Sequence, residues 1–160
     1  MKKLLLIRHA KAVHDMSYDD YERPLKHSGV HDAEVMAERV KKEGLIPQVL
    51  VTSPSLRTQA TADIFSEFLS LPKPRESQRI YEASRITLLE VINEFPSEFD
   101  FIGLVGHNPG LAQLVNYFTG ESPDLTPGSI ALVTFDLDEW PLLSRNTGGL
   151  KWFSSPKAED

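Results

Sequence analysis

The sequence predicts an α/β fold, a three-layer α/β/α sandwich around a mostly parallel central sheet. Continuous apolar runs of four or five residues recur at 4–7, 49–52 and 101–105, and runs of that length suit strands buried on both faces. Segments with helical periodicity separate them, and strands alternating with helices give a parallel sheet covered on both sides. Each run also ends in polar residues, at Arg8-His9, Ser53-Pro54-Ser55-Leu56-Arg57 and Gly106-His107-Asn108-Pro109-Gly110. Open α/β sheets bind ligands beyond the carboxyl ends of their strands.

The elements follow in order. After the strand at 4–7, the stretch 10–27 exceeds ordinary loop lengths, which marks it as a candidate functional loop. A helix over 28–43 places Val30, Ala33, Met36, Ala37 and Val40 on one face, with Gly44 as its stop signal. Beyond the strand at 49–52, Ser53 as N-cap and Pro54 in the first turn open a helix that runs to about Leu71, where Pro72 ends it. Its expected inner stripe is Leu56, Ala60, Ile64 and Phe68. A third helix spans 84–95, and Asn108-Pro109 opens a fourth that stops near Gly120. Residues 130–135 form a further strand, and 150–153 an edge strand after a turn at Gly148-Gly149. With no internal repeat, low-complexity tract or linker, the expectation is one domain over residues 1–160.

Composition narrows the function classes. Hydrophobic residues make up 41% and charged ones 25% of the 160, which excludes general disorder. The net charge of −6 argues against a nucleic-acid binder held by phosphate contacts. The charge is uneven: residues 1–80 carry 13 basic and 11 acidic side chains, residues 81–160 carry 4 and 12. The absence of cysteine excludes disulfides, thiol nucleophiles and thiolate metal sites. The N-terminal apolar run is shorter than the h-region of about 7–15 residues in a signal peptide. Nothing approaches the roughly 18 apolar residues of a membrane span. The expected location is therefore cytoplasmic, with no membrane partner.

The strand-end rule brings together Arg8, His9, Arg57 and His107, which are distant in sequence. Arg57 falls in the first turn of a helix and His107 just before another, and helix N-termini favour anions. Two guanidiniums with planar donor forks suit a tetrahedral phosphate. The inferred site is a phosphate pocket containing two imidazoles.

These residues also carry a resemblance. Leu6-Ile7-Arg8-His9-Ala10 resembles the opening R-H-G motif of the histidine phosphatase (phosphoglycerate mutase-like) superfamily, with alanine for glycine. The segment from Ser53 to Ala62 is similar to its S-P-x-x-R-x-x-x-T-A pattern, and Gly106-His107-Asn108-Pro109-Gly110 to its second-histidine motif. Arg8-His9-Ala10-Lys11, Glu22-Arg23-Pro24-Leu25 and the small size resemble the SixA-like phosphohistidine phosphatase branch. The resemblance implies a phosphoglycerate mutase-like fold and a phosphatase that works without metal or other cofactor. It implies His9 as nucleophile, Arg8 and Arg57 as phosphate clamps, and a protonated His107 completing the clamp when phosphate is bound. Glu82, in Ile80-Tyr81-Glu82-Ala83, falls where relatives place an acidic residue, and is the candidate general acid. The implied substrate is phosphohistidine on a signalling or phosphotransfer protein.

Two departures from the wider superfamily bear on this. His14 stands where many members have a phosphate-binding asparagine. Only 49 residues separate Arg57 from His107, room for one helix, a short strand and another helix, so no lid domain and an open pocket are expected. Two other readings stay open: a small-molecule phosphomonoesterase or phosphoglycerate mutase-type enzyme, and a non-catalytic phosphohistidine-binding module. Elsewhere, His27 and His31 share helical spacing, but the cap-like Ser28-Gly29 between them argues against a metal pair. Asp19, Asp20 and Glu22 are taken as a solvated loop or a docking surface. Trp140 and Trp152 are taken as packing residues, and Lys2 and Lys3 as solvation of the chain start.

Overall fold

The computed structural model describes residues 1–157; residues 158–160 of the expected domain lie outside the described residues. Its centre is a six-stranded sheet of β1 (Lys2–Arg8), β2 (Val49–Thr52), β3 (Arg75–Glu76), β4 (Phe101–Gly106), β5 (Ile130–Phe135) and β6 (Gly148–Ser154), in the order β3-β2-β4-β1-β5-β6. The first four strands in that order are parallel, β5 runs antiparallel to β1, and β6 antiparallel to β5. Helices α1 (His27–Glu43), α2 (Leu56–Leu69), α3 (Arg85–Asn93) and α4 (Gly110–Thr119) cover the two faces.

The period-2 geometry of β1 divides the core in two. Leu4 and Leu6 pack with residues of α3 and α4, including Leu88, Ile92, Leu114 and Phe118. Leu5 and Ile7 pack on the other face with α1 and α2, against Met36, Val40 and Phe65. All four β1 side chains are fully buried, and each contributes about 1.5–3 kcal/mol relative to exposure. A strand buried on both sides must be apolar throughout, which is why residues 4–7 show no alternation.

Several local expectations are corrected. Helix α2 starts at Leu56, with Ser55 rather than Ser53 at its N-cap position. Its buried face is Thr58, Thr61, Ala62, Phe65 and Leu69, while Leu56 is 41% exposed. The displacement comes from two threonines that bury satisfied hydroxyls. Thr58 Oγ1 donates to Ser53 O at 2.7 Å, and Thr61 Oγ1 donates to Arg57 O at 2.8 Å while accepting the Ala10 N–H at 3.1 Å. In α1, Val30 lies on the exposed side and Gly29 takes the buried position. Gly148 and Gly149 begin β6 instead of forming a turn. A Cβ on Gly148 would lie 2.7 Å from the side chains of both Val133 and Phe135, so glycine serves close strand packing there.

Lys2 does not solvate the chain start. It is buried, and its Nζ donates to Ser97 O at 3.1 Å, Phe99 O at 2.9 Å and the Asp100 carboxylate at 2.8 Å, beside the Trp140 ring. All three ammonium protons are used, which is the condition for burying a lysine. Trp140 is a core residue, as expected.

Candidate active site

The adjacency of β1 and β4 sets the site. Arg8 pairs with Gly106 in the parallel ladder, and the His9 N–H continues it by donating to Gly106 O at 3.1 Å. The residues that follow each strand, His9 and His107, therefore lie side by side, with ring centroids 5.4 Å apart. On the other side of β4, Ser53 N–H donates to Val105 O at 3.1 Å and carries the end of β2 to the same edge. Arg57 follows one helical turn later. Arg8, His9, Arg57 and His107 line a cavity of about 220 Å³, joined by Glu82 and Asn108. Lys11, Arg23 and Lys26 also line it, so every lysine and arginine of the lining comes from the basic first half of the chain.

Hydrogen bonds orient both imidazoles. His9 Nδ1 lies 2.8 Å from Ala10 O, an acceptor, so Nδ1 carries the proton and Nε2 the lone pair. The Arg57 Nη2, a donor only, approaches His107 Nδ1 at 3.4 Å, which leaves the His107 proton on Nε2, donated to Ser53 Oγ at 2.8 Å. Burial pulls the His9 pKa down to about 4; the Ala10 hydrogen bond opposes this, and the charges of Arg57, Arg8 and Arg23 add to it. Burial, His9 and Arg57 bring His107 to about 3, against a small opposing pull from Asp20. Both rings are therefore neutral at pH 7 in this structure. A protonated His107 requires the added negative charge of a bound phosphate.

The guanidiniums are only partly satisfied by protein. Arg8 Nη1 donates to Leu125 O at 2.9 Å, and Arg57 Nη1 and Nη2 donate to the backbone oxygen and carboxylate of Asp20 at 2.6 and 3.1 Å. The Nε atoms of both arginines are buried without a hydrogen-bond partner. Unmet buried donors of this kind are costly, and they fit an oxyanion. Burial lowers the Arg8 pKa, partly countered by Asp124.

The structure brings together Arg8, His9, Arg57 and His107, and sets Glu82 at their rim, 3.8 Å from Arg57 Nη2. His14 also lines the cavity, and its Nδ1 accepts from Arg23 Nη1 at 3.0 Å. His31 lies in a separate groove between α1 and α2. Among the described residues, no group of three or more His, Asp or Glu side chains is arranged to hold a metal ion, and no helix is long and apolar enough to cross a membrane.

Asp20 is the main correction. Its side chain is 43% exposed, in a solvated segment, yet it also clamps Arg57 and accepts from Arg23 Nε at 3.1 Å and from the Tyr81 hydroxyl at 2.5 Å. Part of the anion that Arg57 requires is thus supplied by the protein. Ser53 and Tyr81 were missed as site residues; Tyr81 meets the His107 ring edge-on at 5.5 Å. The only sequence signal for Asp20 was the unusual length of the loop that carries it.

The family model described as the histidine phosphatase superfamily (branch 1) matches residues 4–100. A chloroplastic protein of Arabidopsis thaliana of uncharacterised function is 27% identical over 150 residues, spanning 87% of this chain and 69% of the relative. Among solved structures, the protein histidine phosphatase SixA complexed with tungstate is similar, with a TM-score of 0.79 and 25% identity over 96% of this chain and 97% of that one. A candidate phosphohistidine phosphatase SixA from Agrobacterium tumefaciens superposes with a TM-score of 0.83 at 21% identity, over 97% and 98% of the two chains.

Proposed function

The chain belongs to the histidine phosphatase superfamily, branch 1, and from that premise we propose that it is a phosphatase acting by preference on phosphohistidine of a signalling or phosphotransfer protein. The observation that carries the reading is a neutral His9, its Nε2 lone pair free, in one buried cavity with two guanidiniums whose Nε donors lack protein partners. Nucleophilic histidine must attack as the neutral ring, and the lowered pKa of about 4 keeps it so at physiological pH.

In the first step, the Nε2 lone pair of His9 forms the P–N bond while the bond from phosphorus to the leaving group breaks. Arg8, Arg57 and His107 hold the non-bridging oxygens, as preorganised donors do in phosphoryl transfer. A phosphoimidazole protonated on its far nitrogen departs as neutral imidazole, the conjugate base of an acid of pKa about 6.5. That departure makes little demand on a general acid. Water then forms a P–O bond, the P–N electrons return to His9, and inorganic phosphate leaves. No step uses a metal, so turnover is expected to be unchanged in excess chelator.

Acid-labile label should accumulate on the wild-type enzyme when a labelled phosphohistidine protein is mixed with it and quenched. His9→Ala should lack the label and lose at least about 10³-fold in kcat. An unlabelled wild type together with an active His9→Ala variant overturns the mechanism. The specific support for a second reading, a small-molecule phosphomonoesterase, is Glu82 at the rim, since an alkoxide needs a proton to depart. A panel in which phosphosugars exceed phosphohistidine in kcat/KM would favour it.

A further inference from the structure

We propose that Lys11 and Lys26 form a second anion subsite at the mouth of the cavity, which takes a carboxylate side chain of the substrate protein beside its phosphohistidine. The inference rests on the phosphatase reading and adds what the pocket selects.

The site carries more positive charge than a phosphoryl group uses. Five cationic side chains line the cavity, Arg8, Lys11, Arg23, Lys26 and Arg57, against the single carboxyl of Glu82. Arg8 and Arg57 hold the unpartnered Nε donors that fit phosphoryl oxygens. Arg23 is engaged within the protein: its Nε donates to Asp20 at 3.1 Å, and its Nη1 to Val13 O at 3.1 Å and His14 Nδ1 at 3.0 Å. Lys11 and Lys26 remain. Lys11 Nζ reaches Asp32 only at 3.9 Å, and the Lys26 ammonium has no ion pair or hydrogen bond among the described residues.

The backbone sets these two lysines as a pair. Ala12 and Leu25 form an antiparallel bridge, flanked by Val13 N–H donating to Pro24 O at 2.8 Å and Lys26 N–H donating to Lys11 O at 2.9 Å. Lys11 therefore stands directly opposite Lys26. Opposite residues of an antiparallel pair project to the same face, with Cβ atoms about 4.5–5.5 Å apart. Like charges so placed repel, and an anion bound between them turns that repulsion into attraction. Helix α1 holds the ribbon in place. A Cβ on Gly29 would lie 2.2 Å from Lys11 O, so glycine is what lets the first turn of the helix come this close.

The occupant follows from shape and charge. At about 220 Å³ the cavity is smaller than the roughly 300–1,000 Å³ of pockets that enclose a whole ligand. It has room for the phosphoryl group and its ring, while the segment bearing them crosses the mouth where the lysines stand. Lys11 and Pro127 also line an adjoining depression with Asp32, Thr126, Pro156 and Lys157, so the open surface beyond the phosphate is elongated, as an extended segment needs. The chain as a whole carries −6, and its cationic mouth is the part of the surface to which an acidic partner is drawn.

The test uses two phosphohistidine peptides, one with aspartates flanking the phosphohistidine and one with asparagines, together with phosphoimidazole and a small bisphosphate. Wild type should prefer the aspartate peptide by roughly 3- to 20-fold in kcat/KM at low salt, and the preference should shrink as salt screens it. Lys11→Gln combined with Lys26→Gln should bring the two peptides to within about 2-fold of each other. Lys11→Glu combined with Lys26→Glu should favour a third peptide with flanking lysines over the aspartate one, a reversal that a merely structural role of either residue would not produce. Equal kcat/KM on the aspartate and asparagine peptides in wild type, or a preference that the glutamine variant keeps, overturns the subsite. A bisphosphate hydrolysed ahead of both peptides, with that advantage lost in the glutamine variant, overturns the assignment to a protein carboxylate. If wild type turns over neither peptide nor phosphoimidazole, the phosphatase reading has failed and the inference falls with it.

Discussion

Ser53 Oγ accepts the hydrogen bond from His107 Nε2–H, and so its hydroxyl fixes which nitrogen of that ring meets Arg57. Ser53→Ala leaves a fully buried N–H without its acceptor, a loss of about 1–3 kcal/mol. Phosphatase assays should therefore show kcat/KM lower by roughly 10- to 100-fold, with phosphate inhibiting less strongly. The same residue marks the limit of what could be read beforehand. Arg8, His9, Arg57 and His107 were legible because each closely follows an apolar strand, and strand ends converge in this topology. Ser53, Asp20 and Tyr81 were not, because their roles are contacts across 54, 37 and 61 residues. Serine after a strand also fits a helix cap, and aspartate in a long polar loop fits solvation. Only the folded chain shows what each one touches.

Among the elements, the segment carrying Tyr81 and Glu82 rests on the first residue of α4. Gly110→Ala sets a methyl group 2.2 Å from the backbone oxygen of Ala83, and overpacking against backbone costs about 1–3 kcal/mol or more. Urea denaturation should show that loss, and phosphatase activity should fall because the cavity rim that carries Glu82 is displaced. A second junction is Thr61, which links the turn after β1 to α2 through Ala10 N–H and Arg57 O. Thr61→Val leaves the Ala10 amide buried without its acceptor and should destabilise by about 1–3 kcal/mol. Strand runs were legible at this scale, and so were the ends of α1 and α4 at Gly44 and Gly120. The inward face of α2 was not, since hydropathy does not count a threonine as a core residue. Strand β3 has two residues, both exposed, and so leaves no apolar signature to place it by.

For the molecule as a whole, the two buried neutral histidines couple stability to pH. Unfolded imidazoles take up protons near 6.5, whereas the folded rings resist until about 4 and about 3. Between those limits the unfolded chain binds more protons, so stability is complete above pH 6.5 and declines as pH falls toward 4. Thermal melts from pH 7.5 to 4.5 should show this decline, with a shallower slope in His107→Gln; a flat profile in the wild type would contradict it. The sheet adds a different consequence. β1 is hydrogen-bonded along its length to β4 on one side and β5 on the other, with its four central side chains fully buried. Its amides should exchange with deuterium only when the whole protein unfolds, while those around Asp20 and Glu82, whose side chains are 43% and 58% exposed, exchange through local opening. The slowest-exchanging amides of the molecule then run up to the residue just before His9, while faster ones flank the same cavity at Asp20 and Glu82.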